Sequence, residues 1–143
     1  MLASTVVAIV GTCTAAVIDV RTGYIPDRIS GAAACIAFAV AALTGTFAAA
    51  AAGAAAVAGS LLALFALTRG RGLGFGDVKL GVTIGAGCGA VAGLFALGAA
   101  FVSGALFAAC MLVSGRRHLE DALPFAPFLA AGTIAAALRA TAS

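Results

Sequence analysis

Charge is what this sequence has least of. Of its 143 residues, 9% are Asp, Glu, Lys or Arg, whereas 64% are hydrophobic and the mean hydropathy is +1.20. A soluble domain carries about 25% charged residues. The charged residues here are too few to cover a surface in water, so the composition predicts an integral membrane protein. The abundance of Ala and Gly fits this prediction, because small residues let membrane helices pack closely.

Residue types that bind metals or act as nucleophiles are also scarce. The single histidine, His118, lies in a charged segment, so neither a Ser/His nor a Cys/His catalytic pair is expected. The cysteines Cys13, Cys35, Cys88 and Cys110 lie in apolar runs and form no C-x-x-C pair. We therefore expect no zinc site, no disulfide framework and no cofactor. The basic residues are scattered rather than massed on one face, so nucleic acid is not an expected partner.

Apolar runs divide the chain into six predicted membrane spans. They lie at about Leu2–Val20, Ile29–Leu43 and Phe47–Leu67, at two places within Leu80–Val113, and at Pro124–Leu138. The run over Leu80–Val113 is too long for one crossing of about 20 residues, and we place its break near Gly93–Gly98. No basic region precedes the first run, which favours a span over a cleavable signal peptide. We expect an all-α membrane protein in which residues 1–143 form one transmembrane domain of six helices.

The distribution of basic residues orients these spans. Arg139 lies beyond span six, and the other seven basic residues lie in the polar connections that follow spans one, three and five. Lys and Arg accumulate in cytoplasmic loops. The three connections are therefore predicted to be cytoplasmic, with both termini outside. These seven residues are Arg21, Arg28, Arg69, Arg71, Lys79, Arg116 and Arg117.

Two aspartates occupy unusual places in this arrangement. Asp19 ends a span that runs inward and Asp77 begins one that runs outward, so both are predicted at the same membrane face. Each has a structural interpretation: Asp77 as the N-cap of its helix, and Asp19 as an interfacial charge paired with Arg21. Ionisable residues at the edge of a span are costly, however, and usually functional. The remaining acids, Asp27, Glu120 and Asp121, are interpreted as ordinary loop residues.

Glycine surrounds the second of these aspartates. Four glycines alternate with other residues over 70–76, and this pattern disfavours a helix interior because glycine loses the most backbone freedom on ordering. The segment predicts an irregular, closely packed entry into a helix that starts near Asp77, where a substrate chain could approach. Two nearby carboxyl groups cannot both ionise easily, so they share a proton and can activate a water between them. This chemistry is that of aspartic peptidases.

Three motifs carry a family resemblance. The run Gly74-Phe75-Gly76-Asp77 matches the GxGD motif of intramembrane aspartic peptidases, and its extension through Lys79 to Leu80 resembles the type IV prepilin peptidase branch. The segment from Asp19 to Pro26 resembles that family's first-aspartate motif, and residues 123–128 resemble its Pro-rich entry to the last span. The resemblance implies that Asp19 and Asp77 are catalytic and that Gly74, Gly76 and Lys79 shape the site. Asp27 departs from the family, which usually has Asn there.

The resemblance also implies a function and a location. The chain would be an aspartic endopeptidase of the bacterial cytoplasmic membrane that removes a short basic leader from a type IV prepilin or pseudopilin. Apart from this protein substrate, its partners would be membrane lipids. It looks like the short form found in tight-adherence pilus systems, without N-methyltransferase activity, because the two C-x-x-C pairs of the long form are missing.

Two other classes of function stay open. A small proton-coupled membrane transporter would also contain membrane carboxylates, but near the middle of its spans rather than at helix ends beside glycine-rich connections. A purely structural or assembly protein is the third possibility. Cleavage of a prepilin without an ion gradient would separate the peptidase from both alternatives.

Overall fold

The computed structural model describes residues 2–70, 73–114 and 124–142. These residues form five α-helices: α1 (Leu2–Thr22), α2 (Asp27–Leu43), α3 (Phe47–Leu67), α4 (Phe75–Val113) and α5 (Ala126–Ala142). The prediction of an all-helical protein is confirmed for this part of the chain. Several residues discussed above lie outside it, namely Arg71, Arg116, Arg117, His118, Glu120, Asp121 and Leu123.

The helix ends differ from the predicted spans by a few residues at most sites. Helix α3 has the predicted bounds, whereas α1 continues to Thr22. Gly23 follows as a glycine C-cap: its φ is +67°, and its N–H donates to the Asp19 carbonyl (2.8 Å). Helix α5 begins at Ala126 rather than at the predicted Pro124. Pro127 lies in its first turn, where the missing N–H costs little.

Helix α4 is broken at Gly89. This residue has φ 79° and ψ 176°, a backbone conformation open to glycine but not to residues with a side chain. In a straight helix, two residues eight positions apart are separated by about 12 Å along the axis. Gly85 and Gly93 are much closer than this, because a Cβ built on Gly93 would lie 3.5 Å from the Cα of Gly85. The helix therefore bends sharply into the parts 75–88 and 90–113. The predicted break near Gly93–Gly98 was wrong, because several glycines in this run could take such a conformation and the sequence does not distinguish them.

Small residues form the contacts between the helices. Gly53 of α3 and Gly85 of α4 meet backbone to backbone, so a Cβ on either would overlap the carbonyl group of the other. Gly132 of α5 packs in the same way against the main chain at Ala96 of α4. The buried core consists largely of alanine, and many large apolar side chains, such as Val91 and Leu67, are exposed instead. This distribution is typical of helices that pack on one another within lipid.

Three of the helices are long and apolar enough to cross a membrane: Ala3–Thr22, Phe47–Leu67 and Phe75–Val113. Contacts between the helices define two ends of the bundle. At one end, the Thr5 hydroxyl near the start of α1 donates to the Gly87 carbonyl (3.0 Å), beside the bend of α4. At the other end, the last turn of α1 meets the starts of α4 and α5. The predicted site residues lie at this second end.

Candidate active site

A cleft of about 290 Å³ lies where α1 ends and α4 begins. One wall comes from the last turn of α1, the α1–α2 connection and the first residue of α2, and the other comes from the start of α4. All five site residues predicted from the sequence line this cleft. The complete lining is Asp19, Gly23, Tyr24, Ile25, Asp27, Gly74, Phe75, Gly76, Asp77 and Lys79.

Asp19 is held by the start of the last helix. Its side chain is buried, and its Oδ2 accepts a hydrogen bond from the main-chain N–H of Ala126 (3.3 Å), the first residue of α5. The first N–H groups of a helix have no partner within the helix, so they are available to a carboxylate. No ion pair joins Asp19 to Arg21 among the described residues, so the interpretation of Asp19 as a simple partner of Arg21 was wrong.

Asp77 is the third residue of α4, in the first turn of the helix, rather than its cap. The N-cap is Gly74, whose N–H donates to Asp77 Oδ2 (3.2 Å), so the interpretation of Asp77 as the N-cap residue was wrong. Helix α4 begins at Phe75, two residues earlier than predicted. The second oxygen, Oδ1, is buried and has no hydrogen-bond partner among the residues that the structure describes. A buried oxygen without a protein partner is unfavourable for folding, so its position calls for an explanation, of which a chemical role is one.

The glycines of the motif allow the two walls to meet. A Cβ on Gly76 would lie 3.0 Å from the Cβ of Ile25, which is buried over it, and a Cβ on Gly74 would lie 3.3 Å from Asp77 Oδ2. A larger residue at Gly76 would push the α1–α2 connection away from α4. A larger residue at Gly74 would crowd the carboxyl group. The absence of side chains therefore brings Asp19 and Asp77 to the same cleft.

Lys79 binds Asp27 at the rim of the cleft. The distance from Lys79 Nζ to Asp27 Oδ1 is 2.6 Å, and the ammonium group also lies 5.1 Å from the centre of the Phe75 ring. The interpretation of Asp27 as an ordinary loop acid was wrong, because this residue begins α2 and lines the cleft. Pro26 could have indicated that Asp27 starts a helix, but nothing in the sequence indicated that Lys79 is its partner.

Other residues of the site carried little or no sequence signal. Ile25 belongs to the first-aspartate motif, but the motif does not show that its side chain seals the cleft against Gly76. Nothing in the sequence marks the N–H of Ala126 as a donor to Asp19, although Pro127 indicates a helix start nearby. Within the described residues, no three side chains of the metal-binding types His, Cys, Asp and Glu lie together.

Comparisons with known proteins show which sequences this chain resembles. The sequence model of the type IV leader peptidase family matches residues 6–109, a range that contains both aspartates and the glycine motif. Two proteins named prepilin leader peptidase/N-methyltransferase, from Burkholderia pseudomallei strains 1026b and K96243, are each 37% identical over 137 residues, covering 85% of this chain and 43% of theirs. A protein of the same name from Bacillus subtilis is 43% identical over 82 residues, covering 54% of this chain and 31% of its own.

The chain thus spans less than half the length of the curated relatives it matches. No solved structure matches it. The family match nevertheless covers more than half of the chain, and from this we conclude that the chain belongs to the type IV leader peptidase family.

Proposed function

We propose that this chain is an aspartic endopeptidase that removes the leader peptide of a type IV prepilin-like protein, with Asp19 and Asp77 as its catalytic pair. One observation carries the proposal: the two carboxyl groups, which come from different helices, line a single cleft. Each is held there by one main-chain N–H, from Ala126 and Gly74 respectively.

A shared proton explains how such a pair cleaves a peptide bond. One carboxyl group is protonated and the other is ionised, because two close carboxylates repel each other. The ionised group takes a proton from a water, whose oxygen attacks the scissile carbonyl carbon, while the protonated group donates to the carbonyl oxygen. The C–N bond of the tetrahedral intermediate then breaks as the leaving amine takes a proton from one carboxyl group and a hydroxyl of the intermediate gives a proton to the other, which restores the singly protonated pair. The products are a free carboxyl group and a free amino terminus.

The position of the acids favours a peptidase over a proton-coupled transporter. Asp19 lies in the last turn of α1 and Asp77 in the first turn of α4, both beside glycine-containing connections. A relay that carries protons across a membrane would need ionisable groups along the middle of the spans. In the described residues, the helix interiors between the two ends contain no Asp, Glu, Lys or Arg.

We further propose six membrane spans over a single domain of residues 1–143, with both termini outside and the cleft at the cytoplasmic face. The bend at Gly89 supports six helical segments, since it divides α4 in two. The basic residues Arg21, Arg28 and Lys79 lie near the cleft, whereas Arg139 packs against Phe95 at the opposite end. This charge distribution supports a cytoplasmic position for the cleft, in a multi-pass protein of the bacterial cytoplasmic membrane.

The substrate would be a type IV prepilin or pseudopilin precursor, as in tight-adherence pilus systems. The names of the relatives combine peptidase and N-methyltransferase activities. We propose that this chain cleaves without methylating the new N-terminus and without zinc, because its cysteines form no C-x-x-C pair.

A direct test is cleavage by the purified chain in detergent, where no ion gradient exists. We expect it to shorten a prepilin at one bond, which mass spectrometry of both products would identify. An intact prepilin after prolonged incubation with folded protein would contradict the proposal. Proton uptake by vesicles that contain the same inactive protein would support the transporter instead.

A further inference from the structure

The ion pair between Asp27 and Lys79 joins the two walls of the cleft. Asp27 is the first residue of α2, and Lys79 lies in the second turn of α4. Their side chains meet at 2.6 Å, and the same ammonium group lies over the ring of Phe75. Phe75 in turn contacts Phe65 of α3 edge-on, with ring centres 5.6 Å apart. Lys79 therefore links α4 to the start of α2, and the ring of Phe75 beneath its ammonium group links α4 to α3.

Deeper in the bundle, the Thr83 hydroxyl of α4 donates to the Ser30 carbonyl of α2 (3.4 Å). At the cleft itself, two contacts between described residues join the α1–α2 connection and the start of α2 to α4. The first is the packing of buried Ile25 on Gly76. This contact is apolar, and apolar contacts have no preferred bonding geometry. The second is the Asp27–Lys79 pair, which has a donor, an acceptor and a preferred geometry. The pair is therefore suited to set how far the wall that bears Asp19 stands from the wall that bears Asp77.

The pair has features of a positioning contact rather than of a stabilising or catalytic one. Lys79 retains 35% of its exposure and Asp27 63%, and ion pairs this exposed contribute little to folding free energy. Lys79 is two positions from Asp77, and side chains at that spacing on a helix do not face each other. No ion pair connects Lys79 to Asp77 within the described part of the chain.

We propose that Asp27 and Lys79 form a positioning pair that holds the two catalytic walls at their working separation. This inference rests on the proposed function of Asp19 and Asp77, and neither Asp27 nor Lys79 is assigned a chemical step. Loss of the pair lets the walls move apart, which misplaces the carboxyl groups relative to the scissile bond. Small misplacements of reacting groups lower kcat strongly while leaving the fold intact.

A double-mutant cycle on the full chain tests this proposal. The variants are Asp27→Ala, Lys79→Met, which keeps the apolar stem of the lysine, and the two combined. We expect each single variant to lower kcat for a prepilin by roughly threefold to tenfold, and the double variant to be no worse than either. KM and the unfolding temperature in detergent should stay close to wild type. Additive losses, or wild-type kcat in a single variant, would overturn the proposal.

Conservative and matched variants separate the contact from other effects. Asp27→Asn keeps the Oδ1 acceptor and Lys79→Arg keeps the positive charge, so both should retain more kcat than Asp27→Ala and Lys79→Met. Arg28 is exposed and follows Asp27 in the chain, but it does not line the cleft. Arg28→Gln therefore removes a neighbouring charge and should behave as wild type. An Asp27→Asn variant as impaired as Asp27→Ala would contradict a tether made through that oxygen.

The same assay distinguishes failure of this inference from failure of the proposed function. Cleavage by Asp19→Asn or Asp77→Asn would contradict the proposed catalytic pair, and it would contradict the positioning role as well. Inactive dyad variants together with a fully active Asp27→Ala variant would overturn the positioning role alone.

Discussion

The N–H of Ala126 donates to Asp19 Oδ2 at 3.3 Å, which joins the last helix of the chain to the last turn of the first. The donor is the first N–H of α5, so the positive end of that helix faces the carboxyl group. Helix α5 is therefore part of the candidate site as well as part of the bundle. Its contribution is made by the main chain and depends on where the helix begins.

Ala126→Pro removes this contact, and because Ala126 is fully buried, the unfolding temperature in detergent must show that the added ring is accommodated. Proline is well tolerated at the first position of a helix, and it removes the N–H that binds Asp19. We expect a roughly tenfold loss of cleavage rate, since a hydrogen bond to a charged group is worth about 1.5 kcal/mol or more. Initial rates with a prepilin in detergent would measure it. Ala126→Gly keeps the N–H and should stay near wild type, and equal rates in the two variants of folded protein would contradict the role of this bond.

Much of the fold was accessible from hydropathy alone. The bounds of α3 were predicted correctly because an uncharged turn at Gly45 and a polar connection at Arg69 enclose it. The break in α4 was not, because a bend in a glycine-rich apolar helix depends on packing against its neighbours. Gly53 of α3 meets both Gly85 and Gly89, and that contact is not visible in the sequence of α4.

The candidate site was predictable only where motifs carry it. The motifs placed Asp19, Gly74, Gly76, Asp77 and Lys79 in one site, and all five line the cleft, although their roles stay predictions. The partners were not predictable. Two contacts join residues that are far apart in the sequence: the hydrogen bond from Ala126 to Asp19 and the ion pair of Asp27 with Lys79. The type of one residue in each contact does not indicate which distant residue is its partner.

Close helix contact predicts opposite effects for two glycines of α3. A Cβ on Gly53 would overlap the main chain of α4, whereas a Cβ on Gly59 would meet nothing within 4 Å. We expect Gly53→Ala to destabilise the fold by about 1–3 kcal/mol through overpacking. Gly59→Ala should be neutral or stabilising by up to about 1 kcal/mol, because alanine is the better helix former. Thermal unfolding in detergent measures both, and equal unfolding temperatures would contradict the described contact between α3 and α4.

Membrane orientation follows from the proposed topology. Reporter tags at Gly23, Arg71 and Arg116 should report the cytoplasm, and tags at both termini should report the outside. The reason is the concentration of Lys and Arg in the connections that carry the first three tags. Cysteine accessibility in intact cells and in inverted vesicles gives an independent measurement. A cytoplasmic N-terminus would contradict the six-span topology.

Chelation of zinc should leave cleavage unchanged. The proposed mechanism uses carboxyl groups and water only, and the four cysteines form no C-x-x-C pair. Added S-adenosylmethionine should also leave the new N-terminus unmethylated, which mass spectrometry of the product would show. Loss of activity with a chelator, restored by zinc, would contradict the first expectation, and a product heavier by a methyl group would contradict the second.

The central claim is that Asp19 and Asp77 act as a pair, and its most direct test is the rate of prepilin cleavage by Asp19→Asn and Asp77→Asn in purified form. Each substitution removes one acid while keeping the shape of the side chain. Because general acid–base catalysis contributes about 10²–10⁴-fold, each variant should lose at least a hundredfold in rate. Asp27→Asn makes the same change on the same cleft and should remain active. Cleavage near the wild-type rate by either dyad variant, with unchanged protein level, would contradict the account.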